Sequence, residues 1–184
     1  IYAVGRISGA HINPAVTLAL FINGDFPAER VPGYMLAQFA GAFAGSVLIW
    51  LHYLGHWPRT NNQAAKLGIF CTGPAIRAAL PNLISEIIAT TVLVLGILFI
   101  GANKYYEGLN PLVLGALIVS IGVSLGGTTG FAINPARDLA PRFAHFVLPI
   151  PGKGSSDWSY SWILVVGPFI GGVLGALLFR VLFV

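Results

Sequence analysis

Long stretches without any charged residue impose the strongest constraint on what this chain can fold into. They comprise 28 residues between Arg30 and Arg59, 17 between Glu86 and Lys104, 29 between Glu107 and Arg137, and 22 between Asp157 and Arg180. A helix that crosses the hydrocarbon core of a bilayer needs about 20 predominantly apolar residues. Only 9% of all residues are charged, against about 25% in a typical soluble domain. The pattern predicts an all-α, multi-pass protein of the cell membrane, with spans over residues 33–56, 82–102, 111–127 and 159–182.

The composition and the spacing of reactive side chains argue against other classes of function. The 10 basic residues are dispersed over 184 positions and the net charge is +4, which argues against a nucleic-acid partner. The single cysteine excludes a disulfide within the chain, and the histidines lack ligand spacing with a carboxylate or a thiol. The sequence has no Ser-His-Asp arrangement, phosphate-binding loop or paired carboxylates. We therefore expect neither an enzyme nor a bound metal or cofactor.

An internal repeat organises the chain. Residues 9–19 and 130–140 agree at 7 of 11 positions at an offset of 121, and both contain Ile-Asn-Pro-Ala. The spans that follow the two motifs also correspond, with Phe39, Gly41 and Gly45 matching Phe169, Gly171 and Gly175. Small residues four positions apart let helix backbones approach closely in lipid. We expect both glycine pairs to lie at close helix contacts.

The two halves of the repeat are unequal. Two predicted spans precede the second motif, whereas only eight residues precede Gly9. The sequence therefore predicts a single transmembrane channel domain (1–184) made of the end of a first repeat (1–56) and a second repeat (82–184). About two N-terminal spans are expected to be absent from this chain. The alternative is a four-span protein with an unbalanced repeat pair.

Each copy of the motif begins a short helix. Asn is a favoured N-cap and Pro is favoured at the first helical position. The motifs are Asn13, Pro14 and Ala15 in the first copy and Asn134, Pro135 and Ala136 in the second. They predict helices over 13–22 and 134–146, which are too short to span a bilayer and are typical of re-entrant elements.

Paired broken helices at corresponding places in two repeats indicate a permeation site. Helix N-termini carry unpaired N–H groups and a partial positive charge. Two such termini that meet at mid-membrane attract neutral oxygen acceptors and repel cations and protons.

With its paired Asn-Pro-Ala motifs on short helices, the chain resembles the aquaporin superfamily, the major intrinsic proteins, over its whole length. The resemblance implies an inverted repeat of six spans with two half-helices that meet at mid-bilayer. It also implies a homotetramer with one pore per subunit. The run from Asn134 to Asp138 (Asn-Pro-Ala-Arg-Asp), followed by Pro141 and Arg142, is similar to the glycerol facilitator branch.

The resemblance also implies roles for individual residues in the pore. Asn13 and Asn134 place amide N–H donors there, and Gly122, Phe131 and Arg137 match the narrow filter. The glycine leaves room for a carbon backbone, the phenylalanine provides an apolar wall, and the arginine donates hydrogen bonds to hydroxyl groups.

Other matched positions have supporting roles or open alternatives. Glu86 is implied to be a buried acceptor that anchors the second re-entrant loop, with a solvated carboxylate at the start of a span as the alternative. Asp138 is expected to anchor the same loop, and an ion pair between Asp138 and Arg137 is the alternative to a pore role for Arg137. His11 either lines the cytoplasmic vestibule or packs as a structural histidine.

These expectations describe a passive channel for glycerol and similar small neutral solutes, with water, that excludes ions and protons. A relative that conducts mainly water or lactic acid is the second hypothesis. An ion-coupled secondary transporter also has inverted repeats and broken helices, but it needs acidic groups at mid-span, for which only Glu86 and Asp138 qualify. A purely structural membrane protein does not need two polar motifs in its core.

Overall fold

The computed structural model describes residues 1–106 and 108–183, and this part of the chain is helical without strands. Its helices are α1 (Gly5–Ser8), α2 (Pro14–Asn23), α3 (Val31–His52), α4 (Gln63–Gly68), α5 (Ala79–Gly101), α6 (Asn110–Leu125), α7 (Pro135–Val147), α8 (Trp158–Ser161) and α9 (Ile163–Phe183). Short 3-10 turns lie at Ala28–Arg30 and Trp57–Arg59. The predicted all-α architecture is therefore confirmed for the described residues, and α2 and α7 are the two short helices that the Asn-Pro-Ala motifs predict.

Three helical segments in the described residues are long and apolar enough to cross a membrane. They are Ala28–His52, Ala79–Gly101 and Trp158–Phe183. The predicted span over 111–127 forms α6, which has 16 residues and ends at Leu125. At 1.5 Å per residue α6 is about 24 Å long, less than the ~30 Å of a typical hydrocarbon core. Gly126 and Gly127 follow, and glycine is a poor helix former.

The first predicted span, 33–56, is too long at its C-terminal end. The helix α3 ends at His52, and the chain then turns back on itself. The Trp57 indole N–H donates to the carbonyl of Trp50 at 2.9 Å, and Trp57 is buried against Phe70. Tyr53 and Trp57 therefore do not extend the helix. They pack into a second apolar cluster that also contains Phe70.

The two glycine pairs have different surroundings. A Cβ atom at Gly171 would lie 2.5 Å from the Ile87 carbonyl oxygen, and one at Gly175 would lie 2.8 Å from the Val94 Cβ. Close packing of α9 on α5 is therefore confirmed at this pair. At Gly41 and Gly45 an added Cβ would meet no described heavy atom within 4 Å. That face of α3 lines an open cavity, so close packing at the first pair stays a prediction.

The half-helices pack crosswise between the repeats. The helix α2 of the first repeat packs on α9 of the second, and α7 of the second packs on α3 of the first. A Cβ at Gly172 of α9 would lie 2.9 Å from the Ala15 carbonyl oxygen, so α2 sits directly on this helix. The main apolar core lies between α2, α5, α6 and α9 and includes Val16, Leu93, Val94, Ile121, Ile133 and Phe179. This packing fixes the N-termini of α2 and α7 relative to each other.

Candidate functional site

The two asparagines hold the half-helices together by reciprocal hydrogen bonds. Asn13 caps α2 by accepting from the Ala15 N–H at 2.9 Å, and its Nδ2 donates to the Ile133 carbonyl at 2.8 Å. Asn134 caps α7 by accepting from the Ala136 N–H at 3.0 Å, and its Nδ2 donates to the Ile12 carbonyl at 2.8 Å. Each motif therefore binds the loop that precedes the other motif. An amide nitrogen has two N–H donors, so each asparagine has one N–H beyond this bond.

The loops before the two motifs share an unusual backbone conformation. Ala10 and Ile12 in the first loop have φ of 52° and 51°, and Phe131 and Ile133 in the second have φ of 41°. Residues other than glycine rarely adopt this left-handed region, and each instance costs about 1–2 kcal/mol. The same strained pattern recurs in register in both repeats, so the surrounding structure enforces it. Residue type gave no signal for it, because alanine, isoleucine and phenylalanine do not favour positive φ.

Glu86 holds the second loop in this conformation. Its carboxylate is completely buried and accepts from the Ala132 N–H at 3.0 Å, from the Ile133 N–H at 2.8 Å and from the Thr129 hydroxyl. In a trans peptide the N–H and the preceding C=O point in opposite directions. The carbonyl oxygens of Phe131 and Ala132 therefore point away from Glu86. This is the contact geometry of a buried acceptor, and the solvated alternative does not occur.

A cavity of about 350 Å³ lies where the two loops meet. One part of its lining is apolar and comes from Leu93, Ile97, Leu114 and Ile118 of α5 and α6. Another part comes from the loops and motifs, with His11, Asn13, Phe131, Ala132, Asn134 and Arg137. A more open cavity of about 1110 Å³ lies between α3 and α7 and shares His11, Asn134 and Arg137 with the first. Of the predicted pore residues, Asn13 and Phe131 line only the smaller cavity, and Gly122 lines neither of the two.

Arg137 and Asp138 are adjacent but have different surroundings. Arg137 is exposed, and its guanidinium has no hydrogen bond or ion pair with any of the residues that the structure describes. Asp138 is completely buried, pairs with the Arg142 Nε at 2.8 Å and accepts from the Thr72 N–H at 3.0 Å. The structure therefore does not contain the Arg137–Asp138 ion pair that was the alternative for Arg137.

Arg142 is a residue whose importance the sequence reasoning missed. Its side chain is completely buried, and besides Asp138 its guanidinium donates to the carbonyls of Thr72, Ser156 and Asp157. These bonds tie α7 to the loop that follows it and to the loop at Thr72, which lies 70 positions before Arg142. The i,i+4 spacing of Asp138 and Arg142 on a helix is the signal that could have indicated the pair.

His11 and Gly122 have more specific surroundings than the sequence suggested. The His11 Nδ1 lies 3.1 Å from the Thr17 hydroxyl, and its ring packs edge-on against Phe26. It also lines both cavities, so its packing is compatible with the vestibule role, which stays a prediction. A Cβ at Gly122 would lie 3.0 Å from the Phe131 Cζ. The missing side chain at Gly122 therefore makes room first for the Phe131 ring.

Cys71 has no chemical role that the geometry supports. It is buried, and this burial raises the pKa of its thiol to about 12. A thiol with such a pKa stays protonated and is a poor nucleophile at neutral pH. Among the described residues, no group of three or more His, Cys, Asp or Glu side chains could hold a metal ion.

Membrane-spanning helices, an inverted repeat and two half-helices joined at their N-termini define a membrane channel. The sequence matches the family described as Major intrinsic protein over residues 1–179. The chain therefore belongs to the major intrinsic protein family, as the sequence predicted, and it is a multi-pass integral membrane protein.

Similar sequences and a solved structure agree with this assignment. The chain is 61% identical to a probable glycerol uptake facilitator protein of Thermotoga maritima, over 100% of this chain and 78% of that protein. It is 62% identical to the glycerol uptake facilitator protein of Bacillus subtilis, over 99% of this chain and 66% of that protein. The X-ray structure of the aquaglyceroporin from Plasmodium falciparum superimposes with a TM-score of 0.83 at 30% identity, over 95% of this chain and 73% of that one.

Proposed function

We propose that this protein is a passive channel that lets glycerol and similar small neutral solutes, together with water, cross the membrane. The observation that carries the proposal is the reciprocal bonding of Asn13 and Asn134 beside a cavity with apolar and polar parts. A polyol has carbons on one side and hydroxyls on the other, and such a lining matches both. The names of the relatives point to the same substrate.

In the proposed channel, the residues of the site have different roles toward the solute. Arg137 offers guanidinium donors that no described residue occupies, and Asn13 and Asn134 each offer one further amide N–H. The carbonyls of the two loops accept hydrogen bonds from solute hydroxyls, while Phe131 faces the solute carbons. His11 lines the passage on the other side of the motifs. Pro14, Ala15, Pro135, Ala136, Glu86 and Asp138 support the geometry, and Gly122 keeps the filter wide.

Ion and proton exclusion follows from electrostatics. Each half-helix N-terminus carries about half a positive charge, and the two termini meet at the paired asparagines. The adjacent Arg137 adds a full positive charge. A cation that enters this region loses its hydration and meets positive potential, whereas a neutral solute loses only hydrogen bonds that the site replaces.

The geometry disfavours ion-coupled transport. A coupling carboxylate must exchange its partner during the cycle, but the Glu86 oxygens are held by two backbone N–H groups and a hydroxyl. Asp138 is likewise engaged by Arg142 and Thr72. We further propose that the protein has no enzymatic activity, needs no cofactor, forms one channel domain and assembles as a homotetramer in the bilayer.

Stopped-flow light scattering on proteoliposomes tests the proposal. After a glycerol upshift, vesicles shrink as water leaves and re-swell as glycerol enters. We expect glycerol re-swelling well above that of empty liposomes, unchanged when an ionophore collapses ion gradients. Re-swelling that needs an ion gradient would support a transporter. Fast shrinkage without glycerol re-swelling would support the water-conducting alternative. Re-swelling after a lactic acid upshift, but not after a glycerol upshift, would support the lactic-acid-conducting alternative.

A further inference from the structure

The Phe131 ring rests on a glycine surface at the end of α6. A Cβ at Gly122 would lie 3.0, 3.3 and 3.4 Å from the ring atoms Cζ, Cε2 and Cε1. A Cβ at Gly126 would lie 2.7 Å from the ring atom Cδ1 and 2.3 Å from the Gly122 carbonyl oxygen. The two glycines are four residues apart and therefore lie on the same face. Together they support the ring along its length, from Cδ1 to Cζ.

The backbone of Phe131 cannot move away to accommodate a larger neighbour. Its φ of 41° is in the strained left-handed region, and Glu86 binds the N–H groups of the next two residues. The preceding residue is fixed as well, because the Gly130 N–H donates to the Gly126 carbonyl at 2.9 Å. Any displacement of the ring must therefore come from rotation of its side chain. Since α6 blocks one direction, the ring can only turn off α6 toward the cavity that Phe131 lines.

We propose that Gly126 is a positioning residue for solute selectivity, which acts by seating the Phe131 ring against α6. With no side chain at position 126 the ring stays at the wall, and the passage is wide enough for a three-carbon polyol. A methyl group at this position displaces the ring into the passage, which hinders glycerol more than water because water is smaller. This role rests on the proposed glycerol channel and adds a determinant that does not itself contact the solute.

The adjacent glycine provides a matched control. A Cβ at Gly127 would meet no described heavy atom within 4 Å, and its φ lies outside the left-handed region. An alanine at position 127 therefore changes helix-end propensity in the same way as one at position 126, without touching the Phe131 ring. A difference between the two variants reports on the two contacts of a Cβ at position 126, with the Phe131 ring and with the Gly122 carbonyl oxygen.

The experiment compares Gly126→Ala and Gly127→Ala with the wild type in proteoliposomes, measuring glycerol and water permeability on the same preparation. We expect Gly126→Ala to lower the glycerol-to-water permeability ratio about tenfold, which corresponds to about 1.4 kcal/mol on the glycerol barrier, and Gly127→Ala to leave the ratio unchanged. If the wild type conducts glycerol and the two variants have equal ratios, the positioning role is wrong while the channel function stands. If the wild type does not conduct glycerol, the proposed function itself fails.

A double-mutant cycle separates ring displacement from a general disturbance of α6. In a Phe131→Ala background, we expect Gly126→Ala to change the permeability ratio little, because there is no ring to displace. An equal loss in both backgrounds overturns the proposal. If Gly126→Ala does not yield folded protein, Gly122→Ala approaches the same ring from its far end, where the three nearest atoms all belong to Phe131. That variant is then expected to lower the ratio in the wild-type background but not in the Phe131→Ala background, and an equal effect in both backgrounds refutes the seating of the ring.

Discussion

Replacing Glu86 by glutamine tests how the second loop is held. Glutamine has the same shape as glutamate, but one of its two terminal atoms is a donor in place of an acceptor. In the structure both carboxylate oxygens accept from backbone N–H groups, one from Ala132 and one from Ile133. Either orientation of the glutamine amide therefore leaves one backbone N–H facing another donor.

The magnitude follows from the groups that lose their partners. A buried donor without an acceptor costs about 1–3 kcal/mol. Glu86→Gln leaves one backbone N–H and one amide N–H in this state, so we expect the free energy of unfolding to fall by about 2–6 kcal/mol. The left-handed backbone at Phe131 and Ile133 also loses part of its support, so glycerol permeability should fall with stability.

The assay combines denaturant unfolding of the purified protein in detergent with glycerol re-swelling in proteoliposomes. Glu29→Gln is the matched control, because Glu29 is exposed and the substitution removes the same charge. We expect the control to stay within about 0.5 kcal/mol of the wild type, as is usual for surface positions. If Glu86→Gln were as stable and as permeable as Glu29→Gln, the anchoring of the loop by Glu86 would be refuted.

Three further predictions follow from the site and the packing. Arg137→Ala should widen the filter and reduce the discrimination between water, glycerol and urea in stopped-flow measurements; unchanged permeability ratios would exclude its filter role. Arg142→Leu should lower the free energy of unfolding by about 3–5 kcal/mol, because it leaves the buried Asp138 carboxylate uncompensated. The double variant Asp138→Asn with Arg142→Leu should be more stable than Arg142→Leu alone, and equal instability in denaturant titrations would contradict this cause. Gly171→Leu should disrupt the contact of α9 with α5 and lower the thermal unfolding temperature markedly, whereas Ile170→Leu on the exposed face of the same helix should leave it nearly unchanged.

Local sequence signals predicted the half-helices well. An asparagine followed by proline specifies a helix start through interactions within a few residues, and both motifs form caps in the predicted way. The repeat indicated that the two copies play equivalent parts, and the reciprocal bonds of Asn13 and Asn134 have that symmetry. Hydropathy located the four apolar helices, but α6 is shorter than a span, and the end of the first span was misplaced because Tyr53 packs into a side cluster with Trp57 instead of extending the helix.

The sequence by itself determined that the chain lies in a membrane, that it is built from a repeat and where its short helices begin, because these features depend on composition and on neighbouring residues. Only the tertiary structure decided which arginine is buried. The Arg142 guanidinium donates to the carbonyls of Thr72 and Ser156 in two loops, whereas Arg137, five residues earlier, lines the cavities. The tertiary structure likewise decided that Gly171 packs tightly against Ile87, and that Phe131 adopts a left-handed backbone with its ring seated on α6. These outcomes depend on partners as far apart in the chain as Ile87 and Gly171, and no local pattern encodes which distant surfaces meet.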